Sequence, residues 1–147
     1  MSTVNQRLNT PSQATTDYDL SKIFILNNRY ENDNWVNNSN YDPLTLKIGT
    51  LMGRVAATNV LVPLDASKLD GSQFPVGILA QDITLSAGAT DQVAICVSGD
   101  VAQEKVIFWT GNNMSTVVAG RTLHDRIGSD TVGIKLVPGT EMTDFDN

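Results

Sequence analysis

The chain has 147 residues, 41% of them hydrophobic and 18% charged, and a formal net charge of -6. That is the length of one domain able to bury a single core. The ten basic residues are scattered, which argues against binding nucleic acid through its phosphates. No stretch approaches the roughly 18 consecutive apolar residues of a membrane span. MSTVNQRLNTPSQATTDYD at the N-terminus has no apolar core of a secretory signal, so the chain reads as soluble and made in the cytosol, with no nucleic-acid or membrane partner.

Residues 1–20 are polar with no apolar period and read as an extended arm. SKIFIL, Ser21 to Leu26, is a strand-like patch set apart from any sequence neighbour it could pair with. NNRYENDNWVNNSNYDP, Asn27 to Pro43, interleaves Tyr30, Trp35 and Tyr41 with asparagines, too polar for a core element and too aromatic for a plain linker. The expected arm therefore covers residues 1–43, and its deletion from Met1 to Asn40 is expected to leave the rest folded.

From Leu44 the texture becomes that of a β domain. Leu44, Leu46 and Ile48 alternate before Gly49 and Gly53, and glycines inside a strand pattern mark bulges or bends. NVLVPL carries Pro63, which suggests a strand end or edge. An Asp70-Gly71 turn leads into PVGILAQDITL, SAGATD is a loop, and QVAICV is a strand with Val93, Ile95 and Val97 on one face and Ala94 and Cys96 on the other. After an SGD turn, VAQEKVIFW is a strand or a short helical turn. Gly120 to Ile127 is the one helix candidate, with Leu123 and Ile127 four apart and Gly128 placed as its stop. Val132, Ile134 and Leu136 alternate in a last strand ended by Pro138-Gly139, and residues 139–147 form an acidic tail. Short apolar runs at this spacing predict a mainly β fold, a small sandwich or barrel over residues 44–138 with one short helix.

Candidates for chemistry are few. Cys96 is the one cysteine, which rules out an internal disulfide and a multi-cysteine zinc site, and it reads as a buried small residue. His124 is the one histidine; Asp125 follows it, but adjacent helical residues point about 100° apart, so the pair is a poor oriented base. Asp65, Asp70, Asp82, Asp91 and Asp100 recur beside small residues or at strand ends, the places where Asp makes turns. Asn37 and Asn113 match N-x-S but mean little without a secretory signal. No catalytic residue and no cofactor or metal site is predicted. The apolar patch at Ile23, Phe24, Ile25 and Leu26 leaves two readings open: it adds a strand to another chain's open sheet edge, or it folds back onto its own domain.

GTLMGRVAATNVLVPLDASKLDGSQFPVGILAQDI, VAICVSGDVAQEKVIF and RTLHDRIGSDTVGIKLV together resemble the phage head decoration proteins of the bacteriophage lambda protein D type, from about Leu44 to Val137. The resemblance rests on the order and spacing of the early strand, the DG turn followed by VGILA, the SG turn and the last strand beginning GI. It implies a β-rich cement protein assembled as a homotrimer on the outer surface of the virion, at threefold and quasi-threefold positions. It also implies an N-terminal arm that pairs with the major capsid protein. On that reading Tyr18, Ile23, Phe24, Ile25, Leu26, Tyr30 and Trp35 are the candidate capsid-binding residues. Two competing expectations are a sugar-binding head or tail fibre module, motivated by Trp35, Tyr41 and Trp109, and a small trimeric β hydrolase built on the acids.

Overall fold

The structure is a computed structural model, and it describes residues 23–37, 42–109 and 111–138. Two 13-residue strands form its frame: β1, Phe24–Val36, and β7, Thr90–Ala102. They run antiparallel from Phe24 opposite Val101 to Val36 opposite Thr90, with the register shifting between Phe24 and Tyr30. There Asn27 takes φ 58° and Gly99 φ 103°, so the two chains bulge against each other.

Between these strands come β2, Leu44–Leu46; β3, Leu51–Arg54; β4, Leu61–Pro63; β5, Pro75–Leu79; and β6, Ile83–Leu85. β5 pairs with β7, β3 pairs with β5, β4 pairs with β3, and β4 meets β1 in parallel at Trp35 and Leu61. The order β7-β1-β4-β3-β5 with return to β7 is a closed five-stranded barrel, as the apolar spacing predicted. Pro63 ends β4, where its missing N–H costs no ladder bond to β1, because the β1 pairing involves only Leu61. Across that seam the guanidinium of Arg54 also pairs with the carboxylate of Asp33 on β1.

β2 and β6 form a separate two-stranded ladder, as do β8, Val117–Val118, and β9, Arg121–Thr122. Ala119 and Gly120, at φ 51° and 85°, make the two-residue turn of the second pair, the geometry that matches strand twist. Helix α1, Leu123–Asp130, starts at Thr122, whose hydroxyl accepts from Asp125 N at 3.3 Å. Gly128, expected as the stop, lies within the helix. The end comes at Thr131, whose hydroxyl donates to Ile127 O at 2.6 Å and accepts from Ile134 N at 3.0 Å. β10, Ile134–Val137, then runs parallel to β7. Val132, expected in this strand, precedes it and is exposed, because Gly133 turns the chain at φ 118°.

Adjacent strand residues face opposite sides, and this sorts the apolar residues into two cores. Trp35, Met52, Leu61, Leu79, Val93, Ile95 and Val97 come from all five barrel strands and fill the interior. Leu51, Ile78 and Cys96, each next to one of those residues, face outward and are covered by Leu123 and Ile127 of α1 and by Ile134. The alternation expected in QVAICV is therefore correct, but both faces of β7 are buried.

The sheet begins at Phe24 and not at Leu44, which corrects the expected arm of residues 1–43. Asn27 to Val36 is polar because one side of β1 is exposed, while main-chain bonds to the apolar β7 hold it in place. Buried Phe24 and Trp35 anchor its two ends. Removing Met1 to Asn40 would thus remove a barrel strand.

Candidate interaction surface

The acids of the β region are structural and dispersed. Asp65 accepts from Ser67 N and Oγ at 3.0 and 2.7 Å, and Asp70 accepts from Ser72 N and Oγ at 3.0 and 2.6 Å, so each builds its own turn. Asp82 accepts from Ile48 N at 2.7 Å and faces Lys47. Among the described residues no three His, Cys, Asp or Glu side chains gather to hold a metal ion. His124 Nδ1 lies 3.8 Å from Asp125 Oδ1, too far for an orienting hydrogen bond. The Cys96 thiol donates to Ser98 O at 3.2 Å and receives Asn28 Nδ2 at 3.6 Å, and burial pushes its pKa up, which disfavours the nucleophilic thiolate.

Hydrogen bonding to Ser72 lowers the Asp70 carboxyl below its ordinary 3.8. A depressed folded-state value means stability that is present above the ordinary carboxylate range and lost as pH falls through it. Asp70→Ala should therefore melt below the parent at pH 7, and the gap should narrow as pH drops below about 4. A series of thermal melts between pH 7 and pH 3 checks this, and a gap that stays constant counts against it.

The candidate capsid-binding residues divide sharply. Phe24 and Trp35 are buried, at 4% and 0% exposure, so these side chains are core and not contact. Burial at Trp35 also removes the aromatic face on which a sugar-binding reading relied, and Trp109 is half-buried. Tyr18 and Tyr41 lie outside the described residues. Ile23 packs against the outer core and Ile25 is half-buried, whereas Leu26 and Tyr30 are exposed. The ring of Tyr30 stands edge-on to Phe24, with centroids 5.6 Å apart, so a buried partner fixes an exposed aromatic.

Sequence reasoning missed other exposed apolar positions: Leu69, Ile107, Val117 and Val132. Leu69 had a signal, its place beside the Asp70-Gly71 turn. Leu26 opposes Asp100 on one edge of β7, while Val132 N donates to Val97 O at 3.2 Å on the other edge, so both flank the same stretch of that strand. Asn37 is buried, with Nδ2 donating to Leu85 O at 2.9 Å, which makes it a structural amide and no glycan acceptor.

The described residues thus form a small closed barrel with dispersed acids and with Leu26, Tyr30, Leu69, Ile107, Val117 and Val132 exposed at its surface. A family model described as bacteriophage lambda head decoration protein D matches residues 25–121, from the second residue of β1 to the first of β9. The chain belongs to that family, whose members are structural components of the phage head and not an enzyme family. The match takes in every barrel strand and begins inside the stretch expected to be arm. No curated protein matches the chain.

Proposed function

We propose that the protein is a capsid cement protein. It binds the outer surface of the expanded phage head as a homotrimer at threefold and quasi-threefold sites, and residues 1–22 pair with the major capsid protein. The observation that carries this reading is the family match across the whole barrel. Support comes from the surface: β1 emerges at Ile23 beside Leu26 and Tyr30, so a chain segment and two exposed apolar side chains share one side of the molecule. With the barrel beginning at Phe24, the proposed arm ends before Ile23 and not at Pro43.

Three arms on one trimer turn the second and third contacts into intramolecular events, which raises avidity far above that of a single arm. A ligand that binds only the expanded shell stabilises it by mass action, by about 2.7 kcal/mol per site at 100 times its dissociation constant. Mixing the purified protein with expanded, undecorated capsids should give co-sedimentation and a shell that survives higher temperature. Shells that sediment bare at micromolar protein would reject the proposal.

A further inference from the structure

The turn that leads into β5 places a reactive pair in water. Asp70-Gly71 is the one Asp-Gly pair of the chain, and no Asn-Gly pair occurs. In such a pair the glycine amide nitrogen can attack Cγ of the aspartic acid, because glycine has no side chain to block the approach. The N–Cγ bond forms as the C–OH bond breaks, and the hydroxyl leaves as water with the amide proton. A second water opens the resulting succinimide. Opening at the main-chain carbonyl yields isoaspartate, whose main chain runs through the side chain and is longer by a methylene.

Asp70 is exposed, outside the strands and next to Leu69, the most exposed large apolar residue among those described. Two neighbours oppose the attack. Gly71 N–H donates to Gln73 Oε1 at 2.8 Å, so the nitrogen would shed its proton while facing an oxygen lone pair. Asp70 Oδ1 accepts from Ser72 N and Oγ at 3.0 and 2.6 Å, bonds that favour the ionised carboxylate over the neutral acid from which hydroxyl leaves.

We propose that Asp70-Gly71 is a site of spontaneous isoaspartate formation, and that Gln73 and Ser72 keep it slow by holding the two reacting groups. The product loosens the turn. Asp70 O accepts from Ala56 N at 2.8 Å, which ties the turn to the segment after β3. In isoaspartate that carbonyl leaves the main chain and becomes part of a free carboxylate.

The test holds the full chain and its Gln73→Ala, Ser72→Ala and Gln73→Glu variants for weeks at physiological temperature and neutral pH. Peptide mapping with fragmentation that separates aspartate from isoaspartate reads residue 70, and the parent in urea gives the unrestrained rate. Gln73→Ala and Ser72→Ala should each form isoaspartate about 2- to 10-fold faster than the folded parent, the weight of one hydrogen bond. Gln73→Glu keeps an acceptor for Gly71 N–H and should match the parent. The parent's rate in either alanine variant, or no isoaspartate at residue 70 even in urea, overturns the proposal. So does an equal rise at Asp91 in the alanine variants, because general loosening and not release of the pair would then be the cause.

Discussion

A chain starting at Tyr41 is expected not to fold, whereas one starting at Ile23 should melt within about 2 °C of the full protein and lose capsid binding. The difference lies in β1. That strand joins β7 on one edge and β4 on the other, and its removal opens the barrel on both sides. It also carries Phe24 and Trp35, one buried in each core. Truncating a buried aromatic alone costs about 3–5 kcal/mol, against a total stability of about 5–15 kcal/mol for a domain. Circular dichroism melts of both truncations, with co-sedimentation for the second, give the answer. A cooperative transition in the shorter chain would contradict the assignment of β1 to the barrel, and retained affinity in the longer one would contradict the arm mechanism.

The second large effect concerns three glycines that separate strain from crowding. At Gly120 the backbone sits at φ 85° and an added Cβ would meet no atom within 4 Å, so Gly120→Ala costs only the conformational strain, about 1 kcal/mol. At Gly53 the conformation is ordinary, but an added Cβ would run into the backbone carbonyl oxygen of Ser72 and lie 2.9 Å from its Cα and carbonyl carbon, so Gly53→Ala forces backbone displacement at a cost of about 3 kcal/mol. Gly99 combines both, with φ 103° and a Cβ position 2.7 Å from Asn27 O and from Asn28 Cα. Gly99→Ala should therefore cost well more than Gly120→Ala, at about 3–5 kcal/mol from the two terms together. Urea unfolding of the three variants ranks them, and an equal loss at Gly99 and Gly120 would show that the bulge of β1 relaxes freely.

The parts of the fold that were legible in the sequence are those in which apolar residues carry the strand. PVGIL and QVAICV announced themselves because both sit where a barrel wall is covered on each face. The helix was legible through Leu123 and Ile127, which are both fully buried, but not its end, because a threonine hydroxyl closes it three residues beyond the glycine expected to do so. β1 was illegible as a core strand for a physical reason. Its apolar anchors stand at its two ends, and the polar run between them is held by main-chain pairing, which leaves no trace in side-chain pattern. The same reason limited the candidate site. Aromatic residues in a polar setting look like contact residues, and nothing local distinguishes Trp35, which points into the barrel, from Tyr30, which faces out.

The antiparallel ladder between β1 and β7 has a mechanical consequence. Its ten paired positions run from the root of the arm to the far end of the barrel. A tension applied at Ile23 along the axis of β1 loads those pairs in shear, so they share the force and yield together. A pull across the strand would instead peel them one at a time, starting at Phe24 and Val101. A lengthwise pull at Ile23 thus loads the longest ladder among the described residues, and the barrel resists as one body.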